Sequence, residues 1–264
     1  MQIDRKRARE SFAAYVADYD PHNPRIALKI AHTYRVAELC ARIAAASTPA
    51  GPGLTPQDVD LAWLCGLLHD VGRFEQVRRY DTFNDAASIS HAALGVDVLF
   101  GEADPRGPQI RSYLNDDAQD ELIRTTIATH SDYRLPEELD ERTRVFCNVL
   151  RDADKIDILR VNGTCPLEDI YGVSEHDMYA SELTPEVVEL FYQHQTLPRS
   201  IRRHPADVLV GHICFAWELV YPESRAIMAE QGFLEGMLSR RFERADTQET
   251  FGAMASHMRA ELAE

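Results

Sequence analysis

The 264 residues are 45% hydrophobic and 27% charged, the balance of a globular chain with a sizeable core. A formal net charge of −15 repels a phosphate backbone at long range and argues against general nucleic-acid or anionic-membrane binding, although a metal or basic cluster can reverse the potential inside one pocket. There is no apolar run of about 18 residues to cross a bilayer, MQIDRKRARESFAAY has no secretory signal, and Cys40, Cys65, Cys147, Cys165 and Cys214 are scattered without a C-x-x-C pair, so the expectation is a cytoplasmic chain without disulfides or thiolate zinc.

Apolar residues recur at spacings of three and four, with no stretch of strand-like alternation, which predicts an all-α fold. Asn23-Pro24 opens a helix over 24–46 through Ile26, Ile30, Val36, Leu39 and Ile43. After a turn-rich connection at 47–56, Thr55-Pro56 and Asp58 start a helix over 57–71 that carries Leu61, Leu64, Leu67 and Leu68 and ends at Gly72. Residues 73–90 lack a clear period and are expected as a loop, 90–100 as a helix, and 101–112, with two prolines and two glycines, as a second loop. Helical spacing returns over 120–130 and, after Leu135-Pro136-Glu137-Glu138, through Val145, Val149, Ile156 and Leu159. Residues 163–184 are irregular and resemble a linker or lid. Further helices are expected from Thr184-Pro185-Glu186, over 205–221 and over 223–244. The expected organisation is a helical core at 1–162, with 163–264 supplying the lid and C-terminal helices that pack on the same domain.

The leucine run of the second long helix ends in His69-Asp70-Val71-Gly72, which sets an imidazole beside a carboxylate at a buried helix end. Burying both without partners would cost several kcal/mol. A divalent cation is one such partner and a plain hydrogen-bonded pair is another. His32 lies mid-helix among Ile30, Val36 and Leu39, and Asp154 lies in RDADKID between two apolar stretches. Together these residues give three or four ligands to one metal, with a position left for water or substrate.

In order and spacing, His32, His69-Asp70 and Asp154 resemble the H…HD…D signature of the HD-domain superfamily of metal-dependent phosphohydrolases. HTYRVAELC, LCGLLHDVGRFEQ and RDADKIDIL support the likeness, which spans about Ile26 to Leu159. It implies an HD-domain helical bundle with additional C-terminal helices. It also implies that His91 and His130, placed between the HD pair and the last aspartate, hold a second ion, with Asp70 bridging the two. One or two divalent ions (Fe, Mn, Zn, Ni or Mg) are therefore expected on His32, His69, Asp70, His91, His130 and Asp154.

The activity implied is hydrolysis of a small phosphorylated substrate, a nucleotide or other phosphoester, by a metal-activated water that Asp70 orients. Arg73 stands where many HD hydrolases carry lysine; it is a candidate phosphate ligand or a partner of Glu75 or a nearby acid. Lys155 either reaches substrate phosphate or neutralises Asp152 and Asp157, and Asp157 could accept from a ligating histidine. The 73–90 loop, with Asp85 among its members, is expected to line the site mouth. Arg199, Arg202, Arg203 and His204 read as a basic surface patch, His212 as a hydrogen-bonded core histidine, and Trp63 and Trp217 as core. Two other functions use the same residues: an HD-type di-iron oxygenase resembling myo-inositol oxygenase, and a non-catalytic regulatory module that binds a nucleotide.

Overall fold

The computed structural model describes residues 3–46 and 50–262, so part of the 47–56 connection, residues 47–49, lies outside the described residues. Every long regular element among them is an α-helix, as the periodicity predicts. The chain forms two compact units, residues 1–154 and 155–264, and the division falls inside one long helix.

The first unit holds α1 (Arg5–Val16), α2 (Pro24–Ala44), α3 (Pro56–Leu68), α4 (Val71–Tyr80), α5 (His91–Phe100), the single turn α6 (Ile110–Tyr113), α7 (Asp120–Thr129) and the first part of α8 (Glu141–Thr164). α2 starts where expected, with the Asn23 side chain accepting from the Arg25 N–H and Pro24 in the first turn. α3 begins on a capping box in which Thr55 and Asp58 bond each other's backbone N–H groups. From Leu61 to Leu68 every α3 residue is buried, so this helix is apolar all round and central to its unit. Burial of Leu64, Leu67 and Leu68 contributes about 1.5–3 kcal/mol each.

α2 lies along α3, α4 packs on α5, and α5 packs on α7. The α2–α3 approach depends on Gly66, where an added Cβ would stand 2.7 Å from the Ala37 Cα and 2.9 Å from the Cys40 Sγ.

Residues 73–90 are not one loop, because Val71–Tyr80 is helical. Its apolar stripe, Val71, Phe74 and Val77, is masked by polar side chains that are themselves buried: Glu75 takes ion pairs from Arg78 and Arg79, and Gln76 donates to the Asp85 carboxylate. Nor does Gly72 end a helix. It lies in the first turn of α4, and a Cβ there would fall 2.2 Å from the His91 carbonyl oxygen and 2.4 Å from the Gly95 nitrogen. α3 ends at Leu68, and the kink into α4 is made by His69 and Asp70.

The second unit holds the rest of α8 with α9 (Leu167–Tyr171), α10 (Glu175–Tyr179), α11 (Pro185–Tyr192), α12 (Pro205–Ile213), α13 (Phe215–Glu218), α14 (Pro222–Gln231), α15 (Phe233–Leu238) and α16 (Ala245–Leu262). The stretch read as irregular at 163–184 contains two short helices, and α1 and α16 extend helical structure beyond the expected 24–244. α12 packs against α10, α11, α13 and α15, and α16 packs against α11. His212 pairs with the Tyr171 hydroxyl at 2.9 Å, as a hydrogen-bonded histidine should, but it is only partly buried and not a core residue. Trp63 is fully buried, whereas Trp217 is only partly so and stacks on His194.

Candidate metal centre

Four helices and the α3–α4 kink bring six side chains to one place in the first unit. His32 comes from the middle of α2, His69 and Asp70 from the kink, His91 from the first turn of α5, His130 from the residue after α7, and Asp154 from α8. The four imidazoles and Asp70 are almost wholly buried, and Asp154 is nearly so.

Three of the rings are oriented through Nδ1. His69 Nδ1 donates to the Gly66 carbonyl at 2.7 Å and His130 Nδ1 to the Ile127 carbonyl at 2.7 Å, each reaching back three residues. His91 Nδ1 donates to Asp85 Oδ2 at 2.6 Å. A carbonyl or carboxylate only accepts, so each of these three rings keeps a proton on Nδ1 and, in its neutral form, turns a bare Nε2 lone pair inward.

The Nε2 atoms meet in two pairs, His32 with His69 at 3.3 Å and His91 with His130 at 3.0 Å. Asp70 stands between them. Its Oδ2 lies 3.6 Å from His32 Nε2 and 3.3 Å from His69 Nε2, while its Oδ1 lies 3.6 Å from His91 Nε2 and 3.9 Å from His130 Nε2. Asp154 Oδ1 joins the first pair, 3.1 Å from His32 Nε2 and 3.7 Å from His69 Nε2.

Electrostatics keep this set in a ligating form. Burial pushes the His130 imidazole down to about 3, helped by the neighbouring His91 and His69 rings. Burial also lowers His91, with the Arg73 charge adding to it, against an upward pull from Asp85. Burial would raise the Asp70 and Asp154 carboxyls, but the Lys29 ammonium holds Asp70 well below the usual range, and a hydrogen bond with His32 does the same for Asp154.

The donor set fits a metal. The Nε2 lone pairs of His91 and His130 face each other at 3.0 Å with the proton of each ring engaged elsewhere, a repulsive arrangement that a cation relieves. Protons are a poor substitute, since both imidazoles are shifted toward the neutral form. His32, His69 and Asp154 offer ligand atoms that lie within 4.8 Å of one another, as do His69, Asp70 and His130.

The HD domain family model matches residues 30–159. Those residues are an HD domain. No curated protein and no solved structure matches the chain. HD domains form a superfamily of metal-dependent phosphohydrolases with an all-α fold, in agreement with the helical fold and the histidine–aspartate cluster of this HD domain.

Of the other residues singled out in the sequence, Arg73 is buried on its own scaffold. Its Nη1 donates to Gln76 Oε1, the Phe83 carbonyl and Asp85 Oδ1, at 2.7, 2.7 and 2.8 Å, while its Nε lies 3.7 Å from Asp70 Oδ1. Its acidic partner is therefore Asp85, and Glu75 is held by Arg78 and Arg79. Lys155, the residue after Asp154, pairs with Glu218 at 2.8 Å within the second unit, and Asp157 takes both hydrogen bonds of the Arg160 fork. In the basic patch, the Arg203 and His204 N–H groups donate to Asp207, and Arg202 reaches the Leu197 carbonyl.

Sequence reasoning missed Lys29. Its ammonium donates to Asp70 Oδ2 at 2.6 Å and lies 5.5 Å from the centre of the Phe83 ring. The signal was its position one helical turn before His32, on the same face of α2. Asp85 was noticed only as a loop member, although it joins His91, Arg73 and Gln76.

Proposed function

We propose that the HD domain hydrolyses the phosphoester of a small phosphorylated molecule, a nucleotide or other phosphate ester, with two divalent ions held in the centre. His32, His69, Asp154 and Asp70 Oδ2 would hold one ion; His91, His130 and Asp70 Oδ1 would hold the other. The observation that carries this reading is the split of Asp70, whose two oxygens serve two separate histidine pairs. Four imidazoles and two carboxylates suit iron, manganese, zinc or nickel better than magnesium, which prefers an all-oxygen shell. Bound ions would supply the positive charge that neutralises phosphoryl oxygens and acidifies water.

The chain's own residues support the rest of the chemistry. Asp70 stays ionised in a buried setting, so its oxygens remain available as ligands and as acceptors that orient a water beside the phosphorus. The Lys29 ammonium, at the edge of the centre, offers three donors to a non-bridging phosphate oxygen once Asp70 is engaged by cations. Arg73 keeps its Nη1 on the 83–85 segment, and its Nε faces Asp70, so it adds positive potential from a fixed position.

The test combines elemental analysis of freshly purified full-length protein with phosphate release from a panel of nucleotides and phosphomonoesters. The expected result is about two first-row ions per chain beyond those that Asp70→Asn retains, release of phosphate from at least one class, and loss of that release in Asp70→Asn. Iron-dependent oxygen uptake without phosphate release would replace this reading with the di-iron oxygenase. Nucleotide binding that survives Asp70→Asn, with no turnover in either protein, would replace it with a regulatory module.

A further inference from the structure

We infer that the second unit carries a cation site of its own, formed by His194, His257 and Glu261 and suited to a zinc-like divalent transition ion. None of these residues belongs to the centre in the HD domain. Their ligand atoms lie within 4.8 Å of one another, and His194 Nε2 stands 3.1 Å from His257 Nε2.

The three positions are set by independent pieces of backbone. His257 and Glu261 are four residues apart on α16, which puts them one above the other on a single helix face. His194 lies two residues after α11, in the left-handed region at φ 54°, where a side chain with a Cβ is uncommon. That conformation turns its ring toward α16. The ring is then fixed by stacking on Trp217, with centroids 4.4 Å apart and planes at 22°. The Tyr192 ring also packs on His257, with ring centres 5.1 Å apart.

Two imidazole nitrogens and a carboxylate oxygen make three of the four ligands of a tetrahedral zinc shell, and the exposure of His194 and Glu261 leaves the fourth to water. A direct hydrogen bond between the two rings satisfies one lone pair and leaves the carboxylate aside, whereas a cation satisfies all three groups. The negative charge of the chain favours cation capture. The ion would clamp the C-terminal helix to the turn that follows α11.

The test titrates zinc alone into metal-free full-length protein near neutral pH, in competition with a chromogenic chelator. Wild type is expected to take up one equivalent more than His194→Ala and His257→Ala, and Glu261→Gln to hold that equivalent more weakly. Equal stoichiometry in wild type and both histidine variants overturns the site. A second measurement needs no change to the ligands: nickel should quench Trp217 emission in wild type and in Asp70→Asn, with the quench absent in Trp217→Phe. Trp217 emission insensitive to nickel also overturns it.

Discussion

At the scale of single residues, the centre is organised by what surrounds Asp70. A buried carboxylate without a counter-charge is costly, and Lys29 supplies that charge at 2.6 Å with its side chain only 15% exposed. Lys29→Met should therefore destabilise metal-free protein by about 3–5 kcal/mol, the usual consequence of stranding one partner of a buried pair. The loss should shrink when divalent metal is present, because the cation takes over the neutralising role. Urea unfolding with chelator and with manganese measures both values, and an equal loss in the two conditions would contradict the shared role. Asp85 acts at one remove, through His91. Asp85→Asn removes the charge that holds the ring proton on Nδ1 and should weaken metal in the His91–His130 half by about 10–100-fold, leaving the His32–His69 half intact. A two-phase metal titration reads this difference directly.

Between elements, the decisive feature is how closely α4 approaches α5. An added Cβ at Gly72 would collide with backbone, the His91 carbonyl and the Gly95 nitrogen, so the helices must separate. Gly72→Ala should cost at least about 1–3 kcal/mol and reduce metal content, since His91 opens α5. Gly95→Ala serves as the contrast: its nearest neighbour would be 3.4 Å away, ordinary contact that requires no such separation. Similar urea midpoints and metal contents for the two variants would refute the argument. The same junction shows what the sequence could reveal. α2 and α3 were legible because their caps and apolar faces are local signals, and the order His32, His69-Asp70, His91, His130, Asp154 marked the six histidine and aspartate side chains that meet at the centre. α4 was not legible, because its buried Arg73, Glu75 and Gln76 look like solvent residues until their partners Asp85, Arg78 and Arg79 are known. Lys29 was hidden for a related reason: nothing local distinguishes an ammonium that meets a carboxylate 41 positions away from one that meets water.

For the whole molecule, the buried centre should make stability depend on pH in a defined direction. In metal-free protein His130 is held at about 3 against an ordinary value of 6.5, so between these values the unfolded chain binds a proton that the folded chain refuses. Stability therefore falls as pH drops below 6.5. The Asp70, Asp154 and Asp85 carboxyls lie below their ordinary value of 3.8, and their contribution is present above that value and is lost as pH falls further. Both effects act in the same sense. Burial raises Tyr15 and Tyr19 above 10.0, so stability should also fall as pH climbs past that value, which leaves the maximum between about 6.5 and 10. Metal enters the same balance, since a ligand bound only by the folded state at about 100 times its Kd adds roughly 2.7 kcal/mol. Protons compete for the same lone pairs, so that gain should be full above neutrality and fade in acid. Urea midpoints with and without metal, measured from pH 8 down to about 4, should converge on the acid side, and His130→Gln should flatten the metal-free slope below 6.5. A metal-free midpoint that stays constant from pH 7.5 to about 5 would show that the imidazoles are not held neutral by burial.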